Sequence, residues 1–61
     1  MTDLTPDLIR ELRHRRGWKR YQLARVLGVD DWSVWKWELG EIQPNGKNSA
    51  NILRLLAETE T

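Results

Sequence analysis

Cationic and aromatic side chains alternate in two short runs near the middle of this chain, Lys19-Arg20-Tyr21 and Asp31-Trp32-Ser33-Val34-Trp35-Lys36-Trp37. Residues 10 to 36 carry Arg10, Arg13, Arg15, Arg16, Lys19, Arg20, Arg25 and Lys36 against Glu11, Asp30 and Asp31, a local charge of +5 in a chain whose net charge is +1. The flanks are acidic. Residues 1 to 9 contribute −2 through Asp3 and Asp7, and residues 37 to 61 contribute −2, with Glu38, Glu41, Glu58 and Glu60 outweighing Lys47 and Arg54. A basic centre between acidic ends is the distribution of an electrostatic footprint for a polyanion. An ordinary solvated, arginine-rich surface would carry the same charges, so charge alone leaves both readings open.

Bond-making chemistry has no comparable support. His14 is the only histidine and, on a basic helix, reads as a surface residue rather than a ligand. There is no cysteine, hence no disulfide framework and no thiolate metal site. Neither a Ser/His/Asp set, nor a paired carboxylate in a pocket, nor a phosphate loop with its lysine is present. The chain is therefore expected to be no enzyme and to use no cofactor or metal. No apolar run approaches the ~20 residues that span a bilayer, and Met1 to Pro6 lacks the apolar stretch of a signal peptide. A soluble, cytoplasmic protein without a membrane partner is expected.

The elements that position these residues are short. A chain of 61 residues forms one domain at most and buries only about 60% of the surface its unfolded form exposes. Thr5-Pro6-Asp7 is a helix start, with Thr5 as cap, Pro6 in the first turn and Asp7 at the positive end of the dipole. Leu8, Ile9 and Leu12 share one face of this helix, which should run to Arg16 and stop at Gly17, with Trp18 packing back on the core. Leu23, Ala24 and Leu27 then mark a helix from Arg20 to Leu27, ended by Gly28. Asp30 caps a third helix from Asp31 to about Leu39, stopped at Gly40. Glu41 to Asn48 reads as mostly turn, because it contains Pro44, Asn45 and Gly46. A last helix from about Ser49 to Glu58 carries Ile52, Leu55 and Leu56 on one face. The fold class is all-α, a compact bundle of four to five short helices in a single domain spanning residues 1–61.

One local conflict stands out. The cap position of the second helix holds Lys19, a poor capping residue that also sets a cation at the positive end of the dipole. Either the cap is unoptimised, at a cost of about 1 kcal/mol, or the misfit belongs to a helix end that receives a phosphate.

From Arg20 to Trp37 a short helix, a glycine turn and a second helix follow one another with almost no slack. Ala24 lies where the two helices cross closely, Gly28 permits the sharp turn, and Val29, Val34 and Trp37 can bury the inner side of the second helix. This is a helix-turn-helix pattern with its core at about 20–38. The chain resembles the Cro/repressor-type (XRE-like) helix-turn-helix family over Ile9 to Pro44. The residues that carry the resemblance are Arg13 and Gly17, Leu23-Ala24, Leu27-Gly28-Val29, and above all Trp37-Glu38-Leu39-Gly40 with Pro44 following. The resemblance implies a lambda-repressor-like fold and a phage or bacterial transcription regulator that binds double-stranded DNA sequence-specifically.

It also implies roles for particular residues. Arg13 and Glu38 would form an ion pair between helices 1 and 3. The outer face of helix 3 would enter the major groove, with base contacts from Asp31, Trp32, Ser33 and Lys36. Lys36 suits guanine O6 and N7, Asp31 suits cytosine N4, and Trp32 suits the thymine methyl group; Asp31 serves equally as a dipole partner for its own helix. Phosphate contacts would come from Lys19 and Arg20, then Arg16, Tyr21, Gln43, Asn45 and Lys47. Arg10, Arg15 and Arg25 read as solvated helix faces.

The sequence departs from the family's habit at Trp32 and Trp35, where small or polar residues are usual. These two are i and i+3 and share a face roughly 100 degrees or more from Val34 and Trp37, so they should be partly exposed. Exposed tryptophan pairs mark interfaces, here with DNA, a second copy of the chain or another protein; for Trp35 the alternative is packing against the Pro44 loop or the last helix. A homodimer on an inverted-repeat site is expected, since one such domain covers few base pairs. The last helix or the exposed tryptophans would make that contact. Two rival functions stay open: a protein-interaction or inhibitor module that kept the scaffold, and an architectural or recombination-directing DNA binder.

Overall fold

The computed structural model describes residues 4–60, and of Glu60 the backbone only. Asp3, part of the acidic N-terminal flank, and the first half of the Met1 to Pro6 segment read for a signal peptide lie outside the described residues, as does the Glu60 side chain. Four helices follow in order, α1 (Pro6–Arg15), α2 (Arg20–Leu27), α3 (Asp31–Leu39) and α4 (Gly46–Glu60). Among the described residues no strand occurs, and no helix is long and apolar enough to cross a membrane.

α1 starts where Thr5 accepts the Leu8 N–H at 3.2 Å with Pro6 in the first turn. It ends one residue earlier than the expected Arg16, which instead forms the cap, because the turn closes through the Trp18 N–H donating to Arg13 O at 2.8 Å across Gly17 at φ +67°. α2 and α3 have the expected bounds. Between them Gly28 sits at φ +75° and the Val29 N–H donates to Ala24 O at 2.9 Å. Asp30 caps α3 by accepting both the Ser33 N–H, at 3.0 Å, and the Ser33 hydroxyl, at 2.7 Å.

α4 corrects the expected boundary. It begins at Gly46 rather than about Ser49 and runs to Glu60 rather than Glu58. The turn residues Pro44-Asn45-Gly46 are themselves the helix start. Asn45 accepts the Asn48 N–H on its side chain at 2.9 Å and the Ser49 N–H on its carbonyl at 2.8 Å, while the Ser49 hydroxyl donates to Pro44 O at 3.1 Å.

The core gathers Ile9 and Leu12 of α1, Leu23 and Ala24 of α2, Val34 and Trp37 of α3, and Ile52, Leu55 and Leu56 of α4, with Trp18 and Val29 packed against it. α3 packs on both α1 and α2, and α4 closes the other side of α1 and α2. The outer face of α3 is therefore left to solvent.

Two expectations follow. Gly28→Ala forces a side chain into the left-handed region, where a Cβ meets nothing and the cost is conformational, about 1–2 kcal/mol; for a domain of this size each 1 kcal/mol lowers the melting temperature by roughly 4–8 °C. Gly46→Ala, at a helical position with equally open space, should instead raise stability by about 0.4–1 kcal/mol. Thermal melts of both variants check the opposite signs. Separately, the Ser33 hydroxyl and N–H hold the Asp30 carboxyl below its ordinary value of 3.8. A carboxyl depressed in the fold stabilises above that ordinary value and loses its contribution as pH falls through the lower, folded one. The melting advantage of wild type over Asp30→Asn should thus be full at neutral pH and shrink below about pH 3.8; a difference constant from pH 7 to 2 would contradict it.

Candidate nucleic-acid interface

The site is organised from below by Glu38, only 4% exposed at the end of α3. Arg13 of α1 meets it in a two-pronged pair, Nε to Oε2 at 2.8 Å and Nη2 to Oε1 at 3.0 Å, with the Arg13 side chain itself 14% exposed. Arg13 Nη1 also donates to Trp18 O at 3.4 Å, and Arg10 Nη2 to the Glu38 carbonyl at 3.3 Å. A third guanidinium had no signal in the sequence: Arg20, at the first position of α2, places Nε 3.6 Å from Glu38 Oε1 while staying half exposed. One carboxylate thus ties α1, α2 and α3 together and fixes where Arg20 stands.

Above it lies an open groove lined by Arg13, Lys19, Arg20, Tyr21, Asp31, Trp32 and Trp35. The start of α2 supplies its cations and the start of α3 its aromatic wall. Lys19 gives its helix no side-chain cap. Gln22 reaches back instead and accepts the Lys19 N–H at 2.7 Å. That is half of a capping box, and the glutamine three residues after Lys19 was the sequence signal for it. The Lys19 ammonium remains outside this bond, exposed at the groove's edge. Tyr21 and Trp32 are 52% and 53% exposed, Trp35 39%; Arg25 lies 5.9 Å from the Tyr21 ring centre. Trp37, by contrast, is buried in the core.

The other residues singled out in the sequence do not line this groove. Lys36 extends over its own helix, with Nζ 4.8 Å from the Trp35 ring centre, 5.5 Å from that of Trp32, and 3.4 Å from the Glu41 carboxylate. Ser33 commits its hydroxyl proton to Asp30. Arg16 donates to the Thr59 hydroxyl of α4 at 2.7 Å and stacks 5.3 Å from the centre of Trp18. Gln43 borders a separate crevice with Pro44, Ile42 and Trp37, Asn45 spends its side-chain oxygen on the cap of α4, and Lys47 is exposed at the second position of that helix.

A short helix and a second helix joined by a left-handed glycine, with the second helix's outer face free, define a helix-turn-helix domain. The chain belongs to the Cro/C1-type helix-turn-helix family, whose model matches residues 9–61; this is a family of DNA-binding regulators, typically without enzymatic activity. Comparison with curated proteins and with solved structures returns no match for the chain.

Removing Glu38 would leave the largely buried Arg13 guanidinium without its partner. Loss of one partner of a buried pair costs about 3–5 kcal/mol, so Glu38→Ala should unfold at markedly lower urea concentration than wild type. Arg20→Ala, which breaks only the half-exposed arm, should cost under about 1 kcal/mol. Equal midpoints for wild type and Glu38→Ala in urea titrations followed by circular dichroism would show that the pair contributes nothing to the fold.

Proposed function

We propose that residues 1–61 act as one sequence-specific, double-stranded DNA-binding domain of a cytoplasmic transcription regulator, repressor-like or antitoxin-like, that sets α3 in the major groove. The observation that carries this reading is the groove itself. Lys19 and Arg20 at the N-terminus of α2 and Asp31 and Trp32 at the N-terminus of α3 border one surface, which suits phosphates on one side and base edges on the other. Free N–H groups at the start of α2, beside a cation that serves no cap, favour a phosphate there. Asp31 and Trp32 are the base-facing side chains, with Lys36 beside them. Two copies on an inverted repeat, with half-sites about one helical turn apart, would give the affinity a single small domain lacks.

The exposure of Trp32 and Trp35 favours one rival, a protein-binding module on the same scaffold. Selection from randomised ~30 base-pair duplexes, followed by sequencing of the bound fraction, separates the two. A motif, repeated in inverted orientation, is the expected result; an unenriched pool would end the sequence-reading proposal and leave the tryptophans to a protein partner. With about four phosphates neutralised, log affinity should fall against log salt with a slope of about −3.6, and Lys19→Ala should flatten that slope by roughly one contact's share, about 0.9, without changing the motif.

A further inference from the structure

The polar side chains on the exposed face of α3 are mostly spoken for. Ser33 donates its proton to Asp30 at 2.7 Å. The Lys36 ammonium sits over both indole rings, 4.8 and 5.5 Å from their centres, and 3.4 Å from Glu41, with its side chain only 21% exposed. To reach guanine it would have to give up two ring contacts and a carboxylate together. What the face offers outward is Asp31 and apolar ring. Trp32 is 53% exposed, and both rings line the groove that also holds Lys19 and Arg20. One cation thus packs over both rings, and side chains that already have such a partner lose less freedom on binding.

The base edges of the major groove present one alkyl group, the C5-methyl of thymine, and the other substituents that distinguish the base pairs there are hydrogen-bond donors and acceptors. We infer that α3 reads methyl groups: Trp32 packs on the C5-methyl of thymine, and Lys36 acts as a positioning residue that clamps the rings rather than as a donor to guanine. The inference rests on the DNA-binding reading given above and specifies what that surface recognises. The chemistry is a C5-methylated pyrimidine edge, which 5-methylcytosine shares.

The test uses the duplex recovered by selection and fluorescence anisotropy of the labelled DNA. Uracil replaces thymine one position at a time, which removes the methyl and leaves every hydrogen-bonding group in place. Wild type should lose about fourfold in affinity at one or two thymines per half-site, the equivalent of about 0.8 kcal/mol for one buried carbon. Trp32→Ala, a substitution at an exposed position that leaves the fold intact by circular dichroism, should bind the thymine and uracil duplexes alike. A second arm places cytosine and then 5-methylcytosine at the critical position. Tighter binding of the methylated base extends the reading to any methylated pyrimidine; a uracil loss without that gain confines it to thymine. Equal binding of thymine and uracil duplexes overturns the methyl inference while an enriched motif keeps the DNA reading standing. A uracil loss that persists in Trp32→Ala overturns the assignment to Trp32. No motif at all overturns both.

Discussion

The carboxylate of Glu38 is the constraint on which the arrangement of this small domain depends. It is buried at the end of α3, where a lone charge would be prohibitively costly, and it is tolerated because Arg13 answers it with two parallel hydrogen bonds. Buried ion pairs add little net stability compared with well-packed apolar residues of similar size, but they punish any geometry in which one partner is missing. Arg13 comes from α1, Arg20 from α2 and Glu38 from α3, so the pair favours one mutual arrangement of the three helices over others with the same apolar contacts. The core supplies the cohesion and the ion pair selects the packing. Because Arg20 also lines the groove, the same carboxylate that orders the interior orders one of the cations outside.

The local punctuation of the fold was legible in the sequence. Gly17, Gly28 and Gly40 fall at helix ends and have positive φ, and Thr5 and Asp30 cap with their side chains, so α2 and α3 begin and end where their residues say. α4 shows the limit of that reading. Pro44-Asn45-Gly46 has the composition of a turn, yet Asn45 is equally suited to cap a helix, and the capping role prevails where Ile52, Leu55 and Leu56 can reach the core. The side chains that looked available were harder to judge. Arg16 meets Thr59 across 43 residues of chain, and Lys36 meets Glu41 across the Gly40 turn. Residue type and helical period carry no information about such partners, which exist only once the helices have docked.

Lys19 is a local misfit that the fold itself does not explain. At that position the fold would be served by serine, threonine or aspartate. The chain instead has a cation, and recovers part of the lost capping through Gln22. The compensation is partial because Gln22 satisfies Lys19's own N–H, while Lys19 gives α2 no side-chain cap and stays exposed at the groove's edge. Consistency between local preference and global fold is the rule for sequences that fold well, and its violations gather where something besides folding is being served.

A net charge of +1 also limits how this surface can work. A strongly basic protein can hold a polyanion almost anywhere on its surface; here the excess positive charge belongs to residues 10–36, and Lys19 and Arg20 stand at the edge of the groove. In the proposed complex, contacts to phosphate at that edge would fix position without distinguishing one sequence from another, and discrimination would come from α3. Its exposed face lacks a free cation, because Lys36 is held by two rings and Glu41. On the proposed reading, α2 would contribute the salt-sensitive part of binding and α3 an apolar part that salt barely screens. The two stay independent as long as the Glu38 pair holds the helices in register.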